Sequence, residues 1–158
     1  MPLLSSEMSE SVLTLTWAVE APAEAVWERL TTPSLLPQWL GELVEGEVTG
    51  GSPFVVDHGG GYRCASTVTA YDPGRLLAYT WEFPDEPRTE VSWTLSHDES
   101  VTTVRLAHDG LGDLAASYRD GWTTHLMFLE ASALGDSLPT AMFWQIHATI
   151  ARLNARGE

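Results

Sequence analysis

The sequence predicts one α+β domain, an antiparallel sheet of about six or seven strands with a long C-terminal helix covering its apolar face. Three observations predict it. At residues 12–20 and again from Leu43 to His108, apolar and polar side chains alternate in short runs divided by turn residues. From 113 to 134 the apolar spacing changes to the three-and-four rhythm of a helix. Seven tryptophans in 158 residues are spread one to an element, at Trp17, Trp27, Trp39, Trp81, Trp93, Trp122 and Trp144. Rings arriving from several converging elements either fill a core or line a cavity.

Residues 12–20 place Leu13, Leu15, Trp17 and Val19 on one face and Thr14, Thr16 and Glu20 on the other, a half-buried strand. Pro22 opens a helix, where its missing N–H costs nothing, and Ala23, Val26, Trp27 and Leu30 form the buried stripe. Residues 33–40 suggest a second short helical turn. Strands are expected at 43–48, 52–57, 61–71, 75–83, 89–96 and 101–108, separated by glycine, proline and aspartate turns. The short connections imply antiparallel neighbours.

Asp113 is the expected N-cap of the long helix 113–134, whose stripe is Tyr118, Trp122, Leu126, Leu129 and Ala133. Gly121 inside it should cost about 1 kcal/mol against alanine. A close approach of the helix backbone to the sheet would compensate. Residues 140–155 carry Met142, Ile146, Ile150 and Leu153 at helical spacing, a second amphipathic helix that packs on the body or on a second copy of the chain. Residues 1–10, with two glutamates and no basic side chain, lack a secretory-signal pattern and are expected to be a flexible lead-in. The domain proper is then 11–134, with 135–158 a helical extension of it.

The net charge of −14, from 22 acidic and 8 basic residues, argues against nucleic acid and anionic membranes as partners. All eight basic residues are arginine, so Schiff-base and phosphate-loop lysines are excluded. The single cysteine, Cys64, excludes an internal disulfide and reads as a buried, inert thiol. No apolar run approaches the length of a membrane span, and a cytoplasmic location is the expectation. The histidines show no metal-ligand spacing, so neither a metal nor a cofactor is assigned. No G-x-S-x-G elbow occurs.

Four stretches resemble a known family. They are Ala21-Pro22-Ala23-Glu24-Ala25-Val26-Trp27 with Leu35-Leu36-Pro37-Gln38-Trp39; Gly61-Tyr62 through Asp72-Pro73 to Leu76–Trp81; Trp93-Thr94-Leu95 with Thr103-Val104-Arg105-Leu106 and His108-Asp109-Gly110; and Tyr118 with Gly121-Trp122 and Leu126 to Leu129. In this order they resemble proteins like the activator of the 90-kDa heat-shock-protein ATPase, in the START-like, SRPBCC superfamily. The resemblance covers about residues 12–134. It implies the helix-grip fold, a curved antiparallel sheet wrapped on a long C-terminal helix, here with an extra helix after it. The family supplies no universal catalytic residues, and function from fold alone is analogy.

A sheet–helix cavity would be walled by Trp17, Phe54, Val56, Trp81, Phe83, Trp93, Leu95, Leu106, Trp122, Leu126 and Leu129. His125, beside the apolar stripe, is the first candidate for the polar contact that orients a ligand, with His108 behind it and Tyr118 and Tyr62 as further handles. His58, His97 and His108 each adjoin an aspartate, but neighbours in a strand point to opposite faces, so dyads are not expected.

The leading expectation is binding of a small hydrophobic or aromatic molecule, with no catalytic set assigned. A chaperone-interaction domain like the activators is one alternative. A cyclase- or dehydratase-type enzyme using a cavity histidine is another. Segment 140–155 is a candidate homodimer contact.

Overall fold

The computed structural model describes residues 2–9 and 11–157. Met1, Glu10 and Glu158, which belong to the expected lead-in and extension, lie outside the described residues. Eight strands form one antiparallel sheet: β1 (Leu3–Ser9), β2 (Val12–Val19), β3 (Glu42–Gly46), β4 (Pro53–Asp57), β5 (Arg63–Asp72), β6 (Leu76–Trp81), β7 (Thr89–Asp98) and β8 (Val101–Asp109). Their spatial order is β1-β2-β8-β7-β6-β5-β4-β3. Three helices, α1 (Ala23–Thr31), α2 (Ala115–Ala133) and α3 (Phe143–Arg156), complete the domain, with single 3-10 turns at Leu36–Gln38, Gly112–Leu114 and Thr140–Met142. This is the helix-grip arrangement that the sequence predicts.

The strand count rises to eight because Leu3–Ser9, expected as a lead-in, pairs with β2 as an edge strand. Its side chains are mostly exposed, so it shows no buried face to reveal it in the sequence; its hydrogen-bonding partner supplies the order. β5 divides its pairing. Its first half pairs with β4 and its second half with β6, with an irregularity between Val68 and Ala70. That division lets the sheet curl around α2.

The alternation in β2 and β7 is realised as read. Leu13, Leu15, Trp17 and Val19, then Val91, Trp93 and Leu95, all point inward and are buried. Cys64 is buried beside Ser66, and burial pushes its thiol up to about 12. Pro22 stands just before α1, and its carbonyl accepts the N–H groups of Ala25 and Val26.

Three local expectations change. Asp113 does not cap α2 with its side chain; a 3-10 turn precedes the helix and Leu114 holds the cap position. Leu111, buried just before that turn, ties the chain to the core, and the backbone runs into α2 without needing a polar cap. The packed face of α3 is turned from Met142, Ile146, Ile150 and Leu153 to Phe143, Ile146, His147 and Ile150, leaving Met142, Trp144 and Leu153 exposed. Aromatic contact decides that rotation: Phe143 lies 5.4 Å from Phe128 and 4.7 Å from His125, ring centre to ring centre. Asn154 Nδ2 donates to Asp120 Oδ1 at 2.5 Å at the other end of the helix. Finally, Gly121 does not touch the sheet. A Cβ built there would meet nothing within 4 Å.

Among the described residues, no helix is long and apolar enough to cross a membrane.

Candidate functional site

The interior has a closed half and an open half. In the closed half, Trp93 Nε1 donates to Tyr79 Oη at 2.9 Å, Phe54 meets Tyr79 edge-on, and Trp39 packs edge-on against Trp93. Trp17, Phe54, Trp93, Leu106, Leu126 and Leu129 are all buried there, together with Val56 and Leu95. These expected wall residues are core. Their rings and branched chains pack from both sides of the interface, and none of them lines the cavity described next.

The open half lies where the 3-10 turn after α1, the β4–β5 and β6–β7 hairpins, α2 and the start of α3 converge. A cavity of about 470 Å³ opens there. Of the residues expected from sequence, Trp81, Phe83, Tyr118, Trp122 and His125 line it. Residues that sequence reasoning did not assign also line it, among them Trp39, His58, Gly121, Phe128, Phe143, Trp144 and His147. Two glycines shape it. Gly121, on α2, withholds a side chain from the cavity. Gly41 lets the chain after the 3-10 turn pass against β4, where a Cβ would lie 2.5 Å from the Asp57 carbonyl oxygen.

His125 Nδ1 faces the Trp39 carbonyl at 2.8 Å. A carbonyl only accepts, so Nδ1 carries the proton and Nε2 keeps its lone pair. His58 stands opposite, its ring 6.0 Å from that of His125 and edge-on to Trp81 and Phe83. Its Nε2 is buried without a hydrogen-bond partner. Burial, and then the neighbouring His125, lower its pKa to about 3, against a smaller opposing pull from Asp57. Burial lowers His125 to about 4; the Trp39 carbonyl opposes that shift, and His147 adds to it. Both rings are therefore neutral near pH 7.

Asp57 is not a dyad partner of His58. Its carboxylate accepts the Gly59 N–H at 2.7 Å and pairs with Arg63. The pattern Phe54, Val56, His58 on one strand face was the signal that could have placed His58 inside.

His108 points inward, as its alternation with Val104 and Leu106 suggests, but it sits behind the cavity wall rather than on it. Trp122 Nε1 donates to its Nδ1 at 2.9 Å. That bond leaves Nε2 as the protonated nitrogen, which donates to Thr89 Oγ1 at 2.7 Å; Thr89 in turn donates to the Trp81 carbonyl. Both ring nitrogens are satisfied, and burial lowers the pKa to about 3. The residue is a structural clasp between β7, β8 and α2.

Tyr118 accepts from Trp81 Nε1 at 3.0 Å and donates to Glu86; burial, and then that carboxylate, raise its pKa. Tyr62 stacks on Phe83 and donates to Asp85 at 2.6 Å, half-exposed at the rim rather than in the cavity.

A curled antiparallel sheet gripping a helix, with an aromatic cavity at one end, defines a helix-grip domain. Within that class the chain belongs to the family of activator of Hsp90 ATPase homolog 1-like proteins, AHSA1, whose model matches residues 20–133. Solved structures agree in fold. CalU16 from Micromonospora echinospora is 21% identical at a TM-score of 0.73, covering 92% of this chain and 86% of its own. DynU16, a protein of the dynemicin biosynthetic locus, is 27% identical at a TM-score of 0.74 over 82% of this chain and 49% of its own. The Aha1 dimer from Colwellia psychrerythraea is 23% identical at a TM-score of 0.67, covering 77% and 95%. No curated protein matches the chain.

Proposed function

We propose that this domain binds a small aromatic molecule between α2, α3 and the open end of the sheet. The observation that carries the reading is the cavity itself, about 470 Å³, walled by Trp81, Phe83, Trp122 and Phe143 with His58 and His125 facing each other across it. Its size suits a ligand of one to a few rings, and an apolar lining with few polar groups is the usual make-up of such sites. Gly121→Leu is the test, because a Cβ at this cavity-lining position meets no protein atom within 4 Å and the rest of the side chain would take up ligand space. The wild-type chain should quench its tryptophan fluorescence saturably on titration with naphthol, and the variant should not. Equal quenching by both would overturn the reading.

A second reading, a chaperone-ATPase-activator role, has the comparisons on its side more than the first does. The family match over 20–133 and the likeness to the Aha1 dimer favour it. In that case the outer surface carries the function, and Gly121→Leu should stimulate the Hsp90 ATPase as well as the wild type does. Absence of stimulation by the wild type would count against this role.

A further inference from the structure

The cavity's hydrogen-bonding groups are unevenly spent. Each deeply set N–H and O–H donor on its aromatic wall is already committed to the protein. Trp39 Nε1 donates to the Arg29 carbonyl at 2.7 Å, Trp81 Nε1 to Tyr118 Oη, Trp122 Nε1 to His108, and Tyr118 to Glu86. His125 also spends its Nδ1 proton internally, on Trp39. Among the imidazoles of that wall, what is left to a ligand is the lone pair on His125 Nε2, since the unpartnered Nε2 of His58 is buried out of reach. Gln38, Ser117 and Thr140 also line the cavity. A free acceptor set among rings calls for a ligand that donates to it.

The charge pattern is equally one-sided. Asp57 and Glu86 line the cavity, and among the described residues no arginine does. The Asp57 carboxylate is held by Arg63 and the Gly59 N–H, so Glu86 is the carboxylate an anionic ligand would meet, in a chain whose net charge is −14. A hydroxyl suits the free nitrogen of His125, because it can donate to that lone pair. The His58 ring, centred 6.0 Å from that of His125, borders the same space.

We propose that the cavity selects uncharged aromatic hydroxyl compounds, of the phenol or naphthol type, with the hydroxyl donating to His125 Nε2. The inference rests on the cavity-binding reading above and adds the ligand's chemical class and the residue that recognises it. The rings of Trp81, Phe83 and Trp122 take the aromatic body. The Glu86 carboxylate turns carboxylates and phosphates away.

The test is tryptophan-fluorescence titration of the full chain at pH 7 with naphthol, methoxynaphthalene and naphthoate, which share a ring system. Naphthol should bind about tenfold more tightly than methoxynaphthalene, the difference one good hydrogen bond supplies, and naphthoate should bind most weakly. His125→Asn keeps a donor for the Trp39 carbonyl while removing Nε2, and the preference for naphthol over methoxynaphthalene should fall to near parity. His58→Phe keeps a ring on the wall, and the preference should persist. Parity in the wild type, or naphthoate binding most tightly, overturns this inference and leaves the cavity reading standing. A preference that survives His125→Asn, or is lost in His58→Phe, overturns the assignment to His125. Binding of none of the three overturns the cavity reading and this inference together.

Discussion

The two ends of the sheet–helix interface are built from the same residue types and come out opposite. At the closed end Trp93 is fully buried, with Trp39 and Trp122 edge-on to it, Tyr79 bonded to its indole nitrogen and Leu106 beside it in the register of β7 and β8. At the open end Trp81 has comparable neighbours in Phe83, His58 and Trp122, yet a cavity of about 470 Å³ remains beside them. The difference lies in what stands opposite. The closed end faces Leu126 and Leu129 of α2. The open end faces Gly121 of the same helix, one turn or more earlier, and is roofed by α3 at a distance. An aromatic stripe therefore marks an interior surface without saying whether that surface is filled.

Truncation at the two ends should break the symmetry first. Trp93→Ala removes a ring from a filled region and should destabilise the fold by about 3–5 kcal/mol in denaturant unfolding. Trp122→Ala belongs with it. Trp122 is buried, packs on both Trp81 and Trp93, and holds His108, so its removal should cost stability of the same order as well as any binding. A loss below about 1 kcal/mol for either would mean the closed end is loosely packed.

His108 sharpens the boundary between the two ends. His108→Ala strands the Trp122 indole N–H and deprives Thr89 of a donor, and should cost about 2–4 kcal/mol. If it is a clasp, the loss will appear in the unfolding midpoint, and naphthol affinity per folded molecule will change little.

Acid reaches the same groups more gently. His58, His108 and His125 stay neutral in the fold, their pKa values lowered to about 3, 3 and 4, chiefly by burial. Above the unfolded value of about 6.5 they are neutral in both states and contribute no pH dependence. Below it the unfolded chain takes up protons that the fold refuses, so stability falls as the pH drops toward the folded values. His108 alone should account for a loss of about 2 kcal/mol by pH 5, with His58 and His125 acting in the same direction. The check is the thermal midpoint between pH 7 and pH 5; a flat profile would show these imidazoles to be hydrated.

The smallest effect on stability is expected at Gly121. Gly121→Ala should stabilise α2 by about 0.5–1 kcal/mol, as for any helical glycine with room for a methyl group. Gly121→Leu should be near neutral in stability and abolish aromatic quenching. A strong destabilisation by alanine would place protein atoms where the structure has space.

Periodicity made most of the sheet legible, because a strand with one wet face must alternate and a helix covering it must repeat every three to four residues. It also put Trp81, Tyr118 and Trp122 on inward faces, with Phe83 two residues beyond β6 and His125 beside the stripe of α2. His58 was legible in the same way, two residues beyond Val56, and was lost behind its neighbour Asp57. Leu3–Ser9 was not legible, since an exposed edge strand lives on its partner's hydrogen bonds rather than on its own pattern. Phe143 and His147 were passed over because α3 packs one position away from its most apolar stripe, drawn round by ring contacts with Phe128 and His125.

The sequence by itself determined the order of elements from Val12 onward, the inward faces of β2, β7 and α2, and the absence of lysine, since these depend on local spacing and composition. Only the tertiary structure decided that Trp93 fills space while Trp81 borders it, that His108 is consumed by Trp122 and Thr89, and that His58 meets His125. Those outcomes depend on which side chain stands across the interface, tens of residues away along the chain, and on whether that position, as at Gly121, carries a side chain at all.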